Sequence, residues 1–198
     1  MSGRGRFIAL EGGEGTGKTT QAARLAETLG AVLTREPGGT VTGERLRAVL
    51  LDPGLPALDA RAETLLLLAA RAQHVAEVIE PALADGRDVV CDRFSGSTVA
   101  YQGFGRGLDV KSLEAMSDWA AGGLAPDRVI LLEVPAAVAA ERLGRRGSRD
   151  RMEGEGAAFF ERVAAGFKTL AAADTVRWRV VDGTGTADEV AAAVLAAL

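Results

Sequence analysis

The sequence predicts an α/β fold, with a five-stranded parallel sheet carrying helices on both faces. Five short apolar runs alternate with stretches of helical periodicity, the arrangement of strands joined by crossover helices. The runs are continuous rather than alternating, as expected for strands covered above and below. A glycine-rich loop, Gly12-Gly13-Glu14-Gly15-Thr16-Gly17-Lys18-Thr19, joins the first run to the first helical stretch. At 198 residues and 47% hydrophobic, the chain is long enough for one well-buried core and too short for two ordinary domains, so 1–198 reads as a single domain.

Phe7–Leu10 is the first expected strand, and Thr19–Leu29 places apolar residues at helical spacing behind the loop. Ala31–Thr34 is the second strand and runs into Arg35-Glu36-Pro37-Gly38-Gly39. A long helix is expected from Leu58 to Leu83, then the third strand at Val89–Asp92 and the fourth at Val129–Val134. A helix from Pro135 to about Gly144, a last strand at Trp178–Val181 and a packed amphipathic helix over Ala187–Leu198 complete the order. Parallel sheets of this kind bind ligands at the carboxyl ends of their strands, which directs attention to the charged and glycine-rich segments after the first three.

The loop matches G-x-x-x-x-G-K-[ST] in full and has the strand-loop-helix context that the pattern requires, so the fold is of the P-loop NTPase type. Glycine lets successive backbone N–H groups turn inward, and the helix N-terminus adds partial positive charge where phosphate oxygens lie. Lys18 is placed to reach the β and γ phosphates, and Thr19 to ligate magnesium.

Other charged groups carry more than one reading. Asp92-Arg93 ends the third strand: Asp92 suits magnesium through water or a phosphoryl acceptor, Arg93 a phosphate, and the alternative is a strand-end ion pair. Arg145, Arg146, Arg149 and Arg151 fall within seven residues, either a lid closing over a triphosphate or a solvated loop. Tyr101 fits a site or a core equally, and Arg71 is a ligand contact or a snorkelling surface residue.

The bulk numbers exclude several classes. With 23 basic against 27 acidic residues and a pI near 5.2, no broad attraction to nucleic acid or an anionic membrane is expected. The first apolar run is too short for an export signal, and Leu65–Ala70 is far short of the about 20 residues of a membrane span. A soluble cytoplasmic protein is the expectation. Cys91, the one cysteine, reads as a buried strand residue, and the lone His74 as a helix-surface or partly packed one.

Taken together, the chain resembles the thymidylate kinases. The resemblance rests on the phosphate loop, Arg35-Glu36-Pro37-Gly38-Gly39-Thr40, Ala69-Ala70-Arg71, Asp92-Arg93, Ala100-Tyr101-Gln102-Gly103, and Asp150-Arg151-Met152-Glu153 with Phe159-Phe160-Glu161-Arg162-Val163. It implies ATP and dTMP as substrates, magnesium, and a homodimer. It also implies that Glu14 meets the acceptor's 3′-hydroxyl or its metal, and that Arg47 and Arg93 hold the acceptor phosphate. Arg71 would bond the thymine edge with Thr98 and Gln102 nearby, and Tyr101 would pack where a ribose 2′-hydroxyl would project. The phosphate loop has no basic residue before Lys18, so the chain is similar to the bacterial form whose lid, at about 144–153, supplies the transfer arginine from Arg146, Arg149 or Arg151. Where the family usually has a stacking Phe this chain has Leu67, which covers a base face but forgoes the about 1–3 kcal/mol of base–aromatic stacking.

Overall fold

The computed structural model describes residues 3–144, 151–152 and 154–198. Strands β1 (Phe7–Glu11), β2 (Val32–Arg35), β3 (Val89–Asp92), β4 (Arg128–Glu133) and β5 (Trp178–Asp182) form one parallel sheet in the order β2-β3-β1-β4-β5. Helices α1 (Lys18–Leu29), α2 (Val41–Leu51), α3 (Ala60–His74), α4 (Glu80–Ala84), α5 (Ser95–Thr98), α6 (Val110–Ala120), α7 (Ala136–Gly144), α8 (Ala157–Ala173) and α9 (Ala187–Ala196) connect and cover it. No helix among the described residues is long and apolar enough to cross a membrane.

Strand pleat divides the core. Ile8 and Leu10 of β1 join Val90, Ile130 and Val181 under α1 and α9, whereas Phe7 and Ala9 pack with Val75, Ile79, Val89 and Phe94 on the opposite face. A third cluster, centred on Tyr101, Leu131, Phe159 and Phe167, fastens α8 to the body. Burial on both faces holds for β1, β3 and β4 but not for the edge strands β2 and β5, where Leu33 is 50% and Val180 56% exposed. An edge strand has a neighbour on one side only, so its outer face is partly wet.

The expected helix over Leu58–Leu83 forms in three pieces. Asp59 caps α3 by accepting from the Arg61 N–H, and a π-helical segment, Val75–Ile79, precedes α4. Pro81 has no N–H to offer Glu77 four residues back, and the wider turn before it accommodates that loss. A second π-helical segment, Val99–Gly105, continues α5 and carries Tyr101 and Gln102. Thr186 and Glu189 form a capping box at the start of α9.

His74 departs from expectation. It is fully buried, with Nε2 2.6 Å from Thr34 Oγ1 and Nδ1 3.2 Å from Glu36 Oε1. Helical spacing alone could not reveal that β2 and the residue just after it supply the two partners. Cys91 is buried as expected, and burial pushes its thiol well up from the ordinary range.

Candidate active site

Register brings the chemistry to one edge. Leu10 pairs with Asp92, and Asp92 with Arg35, so the residues that follow, Glu11, Arg93 and Glu36, emerge at the same level. Between them and α2, α3 and the second π-helical segment lies a cavity of about 340 Å³. Glu14, Lys18 and Thr19 line one end, and Leu67, Arg71 and Gln102 the other.

The phosphate end is built on backbone that needs glycine. Gly12 has φ 142° and a Cβ there would lie 2.5 Å from the Leu132 carbonyl oxygen; Gly15 has φ 73° and its Cβ would lie 2.6 Å from that of Ala139. Thr16 closes the loop by donating to the Gly13 carbonyl at 3.0 Å. No acidic residue occupies the first turn of α1, so its N-terminus keeps its positive potential for an anion. Lys18, 5% exposed, donates from Nζ to Gly13 O at 2.5 Å. Burial, with Arg93 nearby, lowers its pKa to about 8.

Thr19 Oγ1 donates to Asp92 Oδ2 at 2.6 Å, while Asp92 Oδ1 is buried with no hydrogen-bond partner among the described residues. A carboxylate oxygen left over beside a threonine hydroxyl fits a hard cation that takes most of its ligands from phosphate and water. The ion-pair alternative for Asp92-Arg93 does not hold in this arrangement, because Arg93 turns to Glu14 instead.

Arg93 is the one described non-glycine residue with positive φ, 71°, a strained conformation of the sort held in place at functional sites. It projects the guanidinium into a ring of acceptors: Gly12 O at 2.9 Å, Ser97 Oγ at 3.0 Å, Glu14 Oε1 at 2.5 Å and Tyr101 Oη at 3.2 Å. Tyr101 in turn donates to Glu14 Oε1 at 2.9 Å. Burial works against the Arg93 charge, and Glu14, Tyr101, Asp92 and Glu11 more than offset it. Burial likewise pushes the Tyr101 phenol up, so it stays a neutral donor. Tyr101 thus belongs to core and cavity at once.

At the far end Arg71 is 2% exposed, which settles it as a cavity-wall residue. Its Nε donates to Glu36 Oε2 at 2.8 Å, one terminal nitrogen to Thr98 Oγ1 at 3.0 Å and the other to Ser117 Oγ at 3.3 Å. The guanidinium also sits 4.9 Å from the Phe94 ring centre. Arg47 of α2 lines the same cavity and donates to the Pro37 carbonyl at 2.8 Å, across a cis Glu36-Pro37 bond. Arg151 also lines it, with its side chain bonded to Glu63 and Leu50 O. Arg146 and Arg149 lie outside the described residues.

A strand-loop-helix phosphate cradle and a second, arginine-lined subsite in one cavity are the parts of an enzyme that moves a phosphoryl group between two nucleotides. The sequence description of the thymidylate kinase family matches residues 10–194. The chain belongs to the thymidylate kinase family. It is therefore a phosphotransferase, and the family's reaction is the phosphorylation of dTMP to dTDP with ATP. It is 49% identical over 187 residues to the thymidylate kinase of Pelotomaculum thermopropionicum, spanning 91% of this chain and 87% of the relative. It is 47% identical over 200 residues to that of Solidesulfovibrio magneticus, spanning 95% and 96%. The crystal structure of the thymidylate kinase from Ehrlichia chaffeensis superposes with a TM-score of 0.81 at 31% identity, covering 98% of each chain.

Three site residues escaped the sequence reading as partners. Glu11, buried, accepts from the Phe94 and Ser97 N–H groups and the Ser97 hydroxyl, which fixes the turn that carries Arg93. Glu36 holds Arg71 and His74, and Glu63 holds Gln102, Arg106 and Arg151. A sequence signal existed for Glu63, the lone charge in the otherwise uncharged run from Ala62 to Ala70.

Proposed function

We propose that this cavity carries out in-line phosphoryl transfer from ATP to the dTMP phosphate, with the phosphate loop holding ATP and the Arg47, Arg71, Arg93 and Gln102 side holding dTMP. The observation that carries the base assignment is Gln102 Oε1, a buried acceptor on the cavity wall without a partner among the described residues. Thymine offers N3–H to such an acceptor and O4 to a donor such as Arg71, whereas cytosine reverses both groups. Leu67 covers the base face, and Thr98 shapes the edge beside Arg71.

Catalysis comes from positioning and charge neutralisation, because an acceptor phosphate is already anionic and needs little from a general base. Lys18 and the loop amides bind the ATP phosphates; Arg93 and Arg47 align the acceptor phosphate; Glu14 receives the 3′-hydroxyl; Tyr101 excludes a 2′-hydroxyl. Magnesium, held by Thr19 and Asp92, supplies neutralisation of the phosphate oxygens when bound. The segment at about 144–153 is the proposed lid, and Arg146, Arg149 or Arg151 the proposed source of the transfer arginine. Its closure would keep water from the transferring group.

Coupled ADP production with dTMP, dUMP, dCMP, dGMP, thymidine ribonucleotide monophosphate and no acceptor tests the reading. Turnover is expected to depend on an acceptor and to favour dTMP over dCMP by about 10²-fold or more, the size typical of a site built around base hydrogen bonds. Equal rates with dCMP, or hydrolysis without any acceptor, would sink it.

The homodimer is proposed on an observation of its own. Helices α3 and α6 pack side by side and present Leu65, Met116 and Trp119 at 57%, 37% and 82% exposure. A second copy covering Trp119 would gain roughly 1.5–3 kcal/mol from that ring. Trp119→Glu is expected to sediment as a monomer under conditions where the parent chain is a dimer; an unshifted dimer would move the interface elsewhere. Action in the cytoplasm, with neither nucleic acid nor membrane as partner, is the proposed setting, in keeping with the net charge of −4.

A further inference from the structure

We propose that Glu63 sets the base selectivity of the acceptor cavity by fixing which way the side-chain amide of Gln102 faces. This rests on the reading of the cavity as the dTMP site and names the positioning residue behind one part of it. Glu63, 1% exposed on α3, accepts from Gln102 Nε2 at 2.8 Å and Arg106 Nε at 3.2 Å through Oε1, and from Arg151 at 2.6 Å through Oε2. A carboxylate has no proton to give, so only the NH₂ end of the amide can face it. The carbonyl end of Gln102 is thereby left without a partner among the described residues, buried in a residue that lines the cavity. An acceptor held in that state favours a ligand N–H and rejects a ligand lone pair. Thymine N3–H is the first, and cytosine N3 the second.

The device works only while Glu63 is ionised and cannot turn away. Burial alone would push its carboxyl up, but donation from Arg106, Gln102 and Arg151 brings it below the ordinary glutamate value. The two arginines are themselves braced. Arg106 pairs with Glu155 at 2.5 Å and lies 4.9 Å from the Phe159 ring centre, and Arg151 Nε donates to Leu50 O at 2.8 Å. With an amide at position 63, Gln102 could turn over and present NH₂ to the base.

The test is kcat/KM for dTMP and for dCMP in Glu63→Gln, Glu63→Asp and Gln102→Met, each with a thermal melt. The dTMP preference is expected to fall about tenfold or more in Glu63→Gln and to persist in Glu63→Asp, which still only accepts, even where its turnover is lower. A structural role for Glu63 would slow both acceptors alike, and an unchanged ratio in Glu63→Gln overturns the proposal. Gln102→Met separates the two possible failures. Selectivity lost there but kept in Glu63→Gln rejects the role of Glu63 and leaves the base reading standing, whereas selectivity kept in Gln102→Met rejects both. Should Glu63→Gln fail to fold, the parent chain carries the test. Its Gln102 side-chain amide, assigned as the ¹H–¹⁵N pair missing from Gln102→Met, is expected to exchange slowly with solvent, and exchange as fast as a free amide overturns the proposal.

Discussion

Lys18→Met is expected to lower kcat by about 10²–10³-fold, the usual cost of removing one donor aimed at developing phosphoryl charge. The fold is expected to survive. The drop of the Lys18 pKa from 10.5 to about 8 means that holding this ammonium in its buried place costs about 3 kcal/mol below pH 8. That cost shrinks as pH rises from 8 towards 10.5, where the unfolded chain still binds the proton and the folded one does not. A neutral, similarly shaped Met therefore removes function without removing stability, and a melt at pH 7 no lower than the parent's checks this. The same value predicts a pH effect with a definite sign. With ATP bound through the charged form, as proposed, affinity should be flat below pH 8 and fall by up to about tenfold per pH unit above it, until the pKa in the complex is reached. Calorimetric titration of ATP from pH 6.5 to 9.5 should show this fall in the parent chain and not in Lys18→Met; the same slope in both would assign the titration to another group.

Arg93→Lys should cost about 10²-fold or more in kcat/KM for dTMP, although the charge is kept. The guanidinium reaches Gly12 O, Ser97 Oγ, Glu14 and Tyr101 from one planar fork, and a single ammonium cannot hold that set and a phosphate together. Stability should fall as well. Glu14 and Arg93 side chains are 20% and 15% exposed, so their contact is one that water screens only in part, and weakening it should cost about 1–3 kcal/mol, below the range for breaking a fully buried pair. ATP affinity in Arg93→Lys, measured without acceptor, should change several-fold at most. An equal loss for ATP and dTMP would show that Arg93 serves the phosphate loop rather than the acceptor.

Much of this site was legible because local sequence dictates local backbone. The phosphate loop needs glycine at φ values other residues avoid, and its lysine and threonine sit at fixed offsets on the helix that follows, so spacing alone located Lys18 and Thr19. The five strands read correctly because their apolar runs are short and bounded by turn or polar residues, whereas the equally apolar Leu65–Ala70 sits within a longer helical stretch. The same logic explains the partial miss at β2 and β5, since an apolar run shows that a strand is covered but not that it lies at the sheet's edge. Tyr101 and Arg71 stayed ambiguous until their neighbours were known, one lying between Phe159, Phe167 and Glu14 and the other between Glu36 and Thr98.

By itself, then, the sequence determined the class of fold, the strand order along the chain, the glycine-rich loop between the first strand and helix and, through the resemblance, the family. Tertiary structure alone decided which acids and bases meet. Arg93 turned from its neighbour Asp92 to Glu14, His74 went to the interior with Glu36, and Glu63 became the shared acceptor for Gln102, Arg106 and Arg151. Those partners come from 38 to 88 positions away along the chain. Helical and strand periodicities act over a few residues, whereas charge pairing is decided by what the closed sheet and its helices bring within about 3 Å in a place where water cannot substitute.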